Sequence, residues 1–198
     1  PLTFVSTANV IVHCRARPIF ADVDPVTWNI DPKQIVKKIT RKAKVILPVH
    51  LHGRPCAMKE IRALAKQYKL KVVEDAAHAT EAWYQNQKIG NISEFTAFSF
   101  YATKNLATGE GGMLTTNHKS WADEIRMKSL HGISRDAWKR YSSAGFEPYE
   151  AVYPGYKYNM PDVIAALGLV QLQRLEKNLA IRRRYWKLFN RGLKDIEG

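Results

Sequence analysis

EFTAFSFYATKNLATGEGGMLTT, residues 94–116, contains two apolar, strand-like runs, TAFSF and MLTT. Between them lie small polar residues, the single lysine Lys104 and three glycines, at positions 109, 111 and 112. Glycines between two β-rich runs are typical of a loop or turn. The stretch therefore predicts two strands joined by a loop that carries one amine.

Similar apolar runs alternate with helical patterns in the preceding residues. The runs that predict strands are PIFADV (18–23), KVILPV (44–49) and KVVED (71–75). Asp31 and Pro32 predict the N-cap and first turn of a helix that continues through Ile39. Strands separated by helices predict βαβ units and a largely parallel sheet covered on both faces, so the fold class is α/β.

Three further segments predict helices. The first has apolar residues at positions i, i+3, i+4 and i+7, which indicates one buried helix face: Ile61, Leu64, Ala65 and Tyr68. The second extends from Trp121 to His131. The third is a long helix that begins near Pro161, apolar in its first half and basic in its second.

Composition limits the function classes. A chain of 198 residues with 45% hydrophobic content predicts one globular domain. The net charge of +13 is compatible with nucleic acid, an anionic membrane or anionic small substrates. The basic residues are dispersed, apart from RRR at 182–184, and no nucleic-acid-binding motif accompanies them. Nucleic acid is therefore a disfavoured interpretation of the charge.

Cysteine use predicts a reducing compartment, and hydropathy predicts no membrane span. Cys14 and Cys56 belong to no CxxC motif, so the sequence predicts neither a disulfide framework nor a metal site. No uncharged run reaches the roughly 18 residues of a membrane span. We therefore expect a cytoplasmic protein without membrane association.

Three side chains are expected to meet at one edge of the sheet. Ligands of open α/β sheets bind outside the carboxyl ends of the strands, where Asp75 and Ser99 lie and Lys104 follows. A lysine amine condenses with aldehydes, and pyridoxal phosphate (PLP) is an aldehyde cofactor whose ring nitrogen requires a carboxylate. Hydroxyls and glycine-rich turns bind phosphate. By residue type alone, a solvated lysine is more common than a catalytic one, and an Asp at a strand end is most often an N-cap or turn former.

A resemblance to a known family adds weight to the interpretation of these residues as a PLP site. Five ordered segments resemble the DegT/DnrJ/StrS family of PLP-dependent sugar aminotransferases: PLTFVSTANVIVHCRARPIFADVD, PVHLHGRP, VVEDAAHA, FSFYATKNLATGEGGMLTT and PGYKYNMPDVIAALGLVQLQRLE. Within the family, these segments are most similar to enzymes that make UDP-4-amino-4-deoxy-L-arabinose. The resemblance implies the large domain of a fold type I PLP enzyme, with its central part at residues 1–160. Residues 161–198 would form a helix leading to a small C-terminal domain.

The resemblance implies a role for each matching residue. Lys104 would bond covalently to PLP and move protons, Asp75 would pair with the ring nitrogen, and Ser99 would bind the phosphate. His78 would lie near the phenolic oxygen of PLP, unless it is a histidine hydrogen-bonded to the backbone. Phe4, in a T-[FYW]-x-[AS]-T pattern, would stack on the PLP ring, unless it is an ordinary core residue.

The segment PGYKYNM (154–160) resembles a loop that enters the neighbouring subunit's site in family dimers. Lys157 and Asn159 would then meet the phosphate of the partner's cofactor, and the protein would be a homodimer with shared sites. The reaction implied is transfer of an amino group from glutamate to a nucleotide-linked 4-keto sugar.

Some features depart from the family. The chain is about half as long as family members, so we expect a piece of the large domain, incomplete at both ends. Glu81 stands where glycine is usual, and its carboxylate would either crowd an anionic substrate or point to solvent. Two other classes stay open: a non-catalytic relative with a regulatory or assembly role, and a nucleic-acid-binding protein.

Overall fold

The fold was analysed in a computed structural model, which describes residues 2–133 and 150–196. In chain order its elements are α1 (Ser6–His13), α2 (Pro32–Val36), β1 (Val45–Ile46), a 3-10 turn (Leu51–Gly53), α3 (Met58–Tyr68), β2 (Lys71–Asp75), β3 (Trp83–Tyr84), β4 (Gln87–Lys88), β5 (Phe95–Ser99), β6 (Gly112–Thr115), α4 (Lys119–Ser129) and α5 (Asp162–Gly192). None of the helices in these two ranges has the length and apolar content of a membrane span.

The central sheet has the strand order β1-β2-β5-β6. Strands β1, β2 and β5 pair in parallel, and β6 returns antiparallel to β5. The predicted α/β class with a mostly parallel sheet is confirmed. The strands β5 and β6 are the two runs on either side of the Lys104 loop, so the predicted loop between strands is also confirmed.

Two strand predictions need correction. In the run 44–49 only Val45 and Ile46 form a regular strand, and Val49 makes one further bridge to Asp75. Pro48 interrupts the ladder because it has no N–H to donate. The prediction of a strand at 18–23 is wrong: Val23 makes only an isolated bridge to Ile30, and the side chains of Ile19 and Phe20 are exposed rather than packed against the sheet.

The predicted helices are present. Asp31 caps α2 by accepting the backbone N–H of Lys33 at 2.8 Å, although the helix ends at Val36, three residues before the predicted end. On α3, Ile61 and Ala65 are buried against the sheet, as the spacing predicted, whereas Tyr68 is exposed. Helix α4 occupies Lys119–Ser129, close to the predicted range.

Sequence patterns did not predict the β3–β4 hairpin. Its two-residue turn, Gln85 and Asn86, has φ angles of 46° and 64°. Positive φ at both central residues defines a type I′ turn, which matches the twist of short antiparallel strands. The turn has Gln-Asn in place of the usual Asn-Gly, so its sequence does not predict a hairpin.

Helix α5 contacts the rest of the protein along one stripe. Its fully or partly buried residues recur every three or four positions: Ile164, Ala165, Gly168, Gln171, Leu175, Asn178, Leu179 and Arg182. Leu175 is only 4% exposed and packs with Phe100 and Leu106 from the Lys104 loop. The stripe ends at Arg182, and every later residue of the helix is exposed. The division into residues 1–160 and 161–198 stays a prediction.

A fully buried polar pair joins β2 to the segment after β1. His50 Nε2 lies 2.7 Å from Glu74 Oε2, and neither side chain is exposed to solvent. His50 Nδ1 accepts the backbone N–H of Cys56 at 3.1 Å, so Nε2 is the nitrogen that carries the proton donated to Glu74. Glu74 Oε1 accepts hydrogen bonds from Ser93 N and Thr96 Oγ1. Burial raises the pKa of Glu74, but the hydrogen bonds from His50, Ser93 and Thr96 outweigh it, and the net pKa is lowered.

Replacing Glu74 by Ala should lower the free energy of unfolding by roughly 3–5 kcal/mol, because it removes one partner of a buried, hydrogen-bonded pair. Urea denaturation measures the change. As the control, Glu176→Ala breaks an exposed ion pair to Lys88, in which Glu176 is 68% exposed, and should cost less than about 1 kcal/mol.

The pH dependence has a defined sign. Because the folded-state pKa of Glu74 is lowered from 4.5, the stability it contributes is present above pH 4.5 and is lost as the pH falls through the folded-state value. The difference between wild type and Glu74→Ala should therefore shrink in acid. Equal costs for the Glu74 and Glu176 variants at neutral pH would contradict the role of the buried pair.

Candidate active site

The carboxyl ends of β2 and β5 bring the predicted residues together. Asp75 is the last residue of β2 and lies opposite Ala97 of β5 in the parallel register. Ser99 ends β5 two residues further on, and the loop with Lys104 begins directly after it. Parallel pairing thus places the carboxylate, the hydroxyl and the amine-bearing loop at one edge of the sheet, as expected from the topology.

The Asp75 carboxylate is held by two donors. Its Oδ2 accepts the Thr7 hydroxyl at 2.8 Å, and its Oδ1 accepts the backbone N–H of Ala77 at 3.1 Å. Thr7 lies on α1, where its hydroxyl also contacts that of Thr3 at 2.8 Å. These contacts fix the orientation of a partly exposed carboxylate. The bond from Ala77 is that of an Asx-turn, whereas the bond from Thr7 comes from a distant segment, so Asp75 both forms a turn and holds a fixed position at this edge.

Lys104 contacts His78 directly. Lys104 Nζ lies 2.8 Å from His78 Nε2, so the amine donates to the imidazole. His78 follows β2 by three residues, and the contact therefore joins the two loops that leave β2 and β5. The Nε2 nitrogen of His78 thus has a side-chain partner, and the role of His78 toward PLP stays a prediction. The contact also shows that Lys104 is directed toward the edge of the sheet where Asp75 lies.

The pKa of His78 is lowered from its ordinary value of 6.5. Partial burial is the main cause, followed by the positive charge of Lys104 and by His52, while Asp75 acts in the opposite direction. His78 is consequently neutral at pH 7, which is the state that accepts a hydrogen bond from an amine.

Ser99 and the glycines form the other wall of this edge. Ser99 Oγ accepts the N–H of Tyr101 at 3.3 Å. Gly109 and Gly111 have φ angles of 87° and 150°, in the region that favours glycine. A Cβ on Gly111 would come within 2.8 Å of both Met160 Cε and Thr108 Oγ1. This turn therefore requires glycine at position 111, whatever it binds.

Phe4 and the PGYKYNM segment lie around the site in different ways. The Phe4 side chain is 77% exposed, which excludes the core interpretation, and it precedes the helix that supplies Thr7. Lys157 Nζ donates to Asn159 Oδ1 at 2.7 Å, so these two residues contact each other. The segment is anchored to the end of α4 by Tyr156 N to Lys128 O and Tyr158 N to Ser129 O. Their roles toward PLP stay predictions.

Two residues of the site were not singled out from the sequence. Thr7 is the last residue of the TFVST run that drew attention to Phe4, so the pattern already contained it. His52 lies edge-to-face with His78, with the ring centroids 6.1 Å apart, and its φ is 50°. Nothing in the spacing of PVHLHG distinguishes His52 from an ordinary loop histidine. Only the folded loop shows its proximity to His78.

The expectation that Glu81 points to solvent is wrong, whereas its effect on an anionic substrate stays a prediction. Its side chain is only 7% exposed, so it does not point to solvent. Its carboxylate accepts Asn105 Nδ2 at 2.6 Å and pairs with the guanidinium of Arg182 on α5. The charge of Glu81 is thus compensated by Arg182.

The residue types at this edge fit PLP. Lys104 offers an amine for the aldehyde, the doubly hydrogen-bonded Asp75 offers a fixed carboxylate for the pyridinium nitrogen, and Ser99 with the glycine turn offers donors for the phosphate. The edge is an open strand end rather than a packed interior. The residue types that PLP binding requires are therefore present at this edge.

Comparison with known proteins identifies the class of protein. The family model of the DegT/DnrJ/EryC1/StrS aminotransferases matches residues 1–198, so the chain belongs to this family of PLP-dependent sugar aminotransferases. The spore coat polysaccharide biosynthesis protein SpsC of Bacillus subtilis is 56% identical over 176 residues, which are 89% of this chain and 45% of SpsC. The chain spans about half the length of the curated relatives it matches.

Solved structures agree in fold. The PLP form of Spr1654 from Streptococcus pneumoniae superposes with a TM-score of 0.88 at 31% identity, covering 98% of this chain and 52% of Spr1654. DesI, solved with its TDP-sugar product, superposes with a TM-score of 0.85 at 31% identity, covering 99% of this chain and 47% of DesI. The matched region is the large domain of sugar aminotransferases, which confirms the predicted fold class.

The contact between Lys104 and His78 can be tested by titration. In Lys104→Met, which keeps the length of the side chain but removes its charge, the pKa of His78 should rise toward 6.5, because one of the causes that lower it is gone. The pKa is measured from the ring resonances of His78 by NMR between pH 5 and pH 8. Lys119→Met, an exposed change on α4, is the control and should leave the pKa of His78 where it is in wild type. An unchanged pKa of His78 in Lys104→Met would show that the two side chains do not interact in solution.

Proposed function

We propose that this protein transfers an amino group from glutamate to a nucleotide-linked 4-keto sugar, with PLP bound at Lys104. The acceptor would be of the UDP-4-keto-pentose type, and the product would serve polysaccharide or lipid A modification in the cytoplasm. The observation that carries the proposal is the contact of Lys104 with His78 beside the fixed carboxylate of Asp75. In the net reaction, glutamate becomes 2-oxoglutarate and the keto carbon of the sugar becomes an amine.

The residues divide the work by their chemistry. Bound PLP supplies an aldehyde for amines and a ring that delocalises the electron pair left when a proton is removed. The amine of Lys104 would accept and return that proton. Asp75, held by Thr7 and Ala77, would keep the pyridinium nitrogen protonated through its negative charge. Neutral His78 would orient the amine by accepting its hydrogen.

Charge and resemblance support an anionic acceptor. The net charge of +13 favours a sugar nucleotide with its diphosphate over a neutral sugar. The PGYKYNM segment supports the pentose assignment, since its likeness is to arabinose-type enzymes. Lys157 and Asn159, which are exposed and joined by a hydrogen bond, would reach the cofactor phosphate of a second subunit in a homodimer with shared sites.

Covalent labelling tests the proposal at Lys104. The 198-residue chain is mixed with PLP, reduced with borohydride and digested, and the pyridoxyl group is located by peptide mass. We expect the label at Lys104 in preference to other lysines. In Asp75→Asn, PLP should bind about tenfold or more weakly, because a hydrogen bond between charged groups contributes roughly 1.5–3 kcal/mol.

Two controls keep the labelling test specific. Lys104→Arg keeps the positive charge but cannot be labelled, so its spectrum shows what the remaining lysines contribute. Lys88→Arg alters a lysine outside the site and should leave labelling of Lys104 unchanged. Equal labelling of many surface lysines, or none at all, would overturn the proposed PLP site.

An assay of amino transfer separates an enzyme from a non-catalytic relative. With glutamate and a UDP-4-keto-pentose, the 198-residue chain should form less 2-oxoglutarate than a chain of its relatives' full length, because it spans about half of them. Lys104→Arg should abolish 2-oxoglutarate formation in both. Formation of 2-oxoglutarate with a TDP-4-keto hexose but not with the pentose would replace the proposed acceptor and keep the reaction class. Labelling of Lys104 without turnover of any keto sugar by a chain of the relatives' full length would favour the non-catalytic alternative.

A further inference from the structure

Glu81 is a buried carboxylate that the proposed reaction does not use. It is 7% exposed, and its Oε2 accepts a hydrogen bond from Asn105 Nδ2 at 2.6 Å. Its Oε1 forms an ion pair with the guanidinium of Arg182, without an assigned hydrogen bond. A carboxylate is stable in such a place only when charges and hydrogen bonds compensate its lost hydration. The position of Glu81 is therefore determined by two residues from distant parts of the chain.

The first partner of Glu81 adjoins the reactive lysine. Asn105 directly follows Lys104, and Glu81 lies three residues after His78. The segment 78–81 thus contacts the Lys104 loop twice, through His78 to Lys104 and through Glu81 to Asn105. Two contacts on adjacent residues restrict the backbone of the loop as well as its side chains.

The second partner of Glu81 belongs to α5, which also supports the loop by apolar contacts. Leu175 of α5 packs with Phe100 and Leu106, which lie on either side of Lys104 in sequence. Gly168 of α5 lies so close to the loop that an added Cβ would be 3.3 Å from Thr108 Cγ2. The loop 100–108 therefore lies between segment 78–81 on one side and α5 on the other. Glu81, in segment 78–81, contacts both the loop and α5.

We propose that Glu81 is a positioning residue that fixes the loop 100–108 between segment 78–81 and α5 and so directs the amine of Lys104. The proposal rests on the proposed function in that the amine is directed for reaction with PLP. Loss of the contact between Glu81 and Asn105 would leave the residue types of the site intact and displace the amine. Because Arg182 is the other partner, the position of α5 would influence the reactivity of Lys104.

The experiment compares three variants of the 198-residue chain. Asn105→Ala removes the contact to the loop and leaves the buried pair of Glu81 with Arg182 intact, so the fold is kept. Glu81→Gln keeps the shape of the side chain and removes its charge. Glu176→Gln is the matched control, since it breaks the exposed ion pair between α5 and Lys88. Lys88 donates to the backbone oxygen of Glu81 at 3.4 Å, so this control leaves the Glu81 carboxylate and its contact to the loop in place.

Three measurements are made on each variant. Without PLP, amide hydrogen exchange of residues 100–108 should be about tenfold faster in Asn105→Ala and Glu81→Gln, the change that loss of one hydrogen bond to a charged group produces. The pKa of His78 should rise toward 6.5 as the amine moves away. With PLP, borohydride labelling of Lys104 should slow about tenfold relative to that of Lys119 in the same sample. Glu176→Gln should match wild type in all three.

The outcomes separate this proposal from the proposed function. If wild type is not labelled at Lys104, the proposed PLP site is wrong. Amide hydrogen exchange and the pKa of His78 then still decide whether Glu81 directs the amine. Faster exchange with an unchanged pKa of His78 would reduce Glu81 to a structural residue and overturn the proposal. Exchange, pKa and labelling that all remain at wild-type values in Asn105→Ala would overturn it as well.

Discussion

The buried hydrogen bond between Glu74 and His50 is the constraint on which the site depends. Glu74 precedes Asp75 at the end of β2, and its carboxylate is fully buried among His50, Ser93 and Thr96. Alternation along a strand then directs Asp75 to the opposite face. The backbone of the same segment is tied down, since Asp75 N donates to Pro48 O and Asp75 O accepts from His50 N. The buried carboxylate of Glu74 thereby fixes the position of the partly exposed carboxylate of Asp75.

The rest of the site is assembled from segments that follow or approach this strand end. Helix α1 supplies Thr7 to Asp75, the turn after β2 supplies His78, and the loop after β5 supplies Lys104. Each functional side chain thus lies on a loop or helix terminus positioned by the parallel strands, which is the common arrangement in α/β proteins. The buried pair fixes the strand end that carries Asp75, and the loops with His78 and Lys104 follow the strand ends. Helix α5 packs against the Lys104 loop on its other side.

Helix α5 has a buried stripe in its first two thirds and only exposed residues after Arg182. Its buried stripe packs on the loop through Leu175 and contacts Glu81 through Arg182. Beyond Arg182 its described residues are exposed and include the large apolar side chains of Tyr185, Trp186, Leu188 and Phe189. The exchange of glycine for Glu81, a departure from the family pattern, is accommodated by the buried stripe, because a guanidinium on that stripe neutralises the carboxylate. A change that looked unfavourable in the sequence is compensated by a contact across the fold.

Local sequence determined the elements and the residue types of the site. Periodicity and capping residues predicted α2, α3, α4, α5, β2, β5 and β6, and the order of strands and helices predicted the parallel sheet, because these features depend on neighbours a few residues apart. The ordered motifs indicated the family and named Asp75, His78, Ser99 and Lys104. The tertiary structure alone decided what these residues contact. The roles of Thr7, His52 and Glu81, the lack of a strand at 18–23 and the tie between the Lys104 loop and α5 all depend on contacts between residues far apart in the chain, and no local pattern records such contacts.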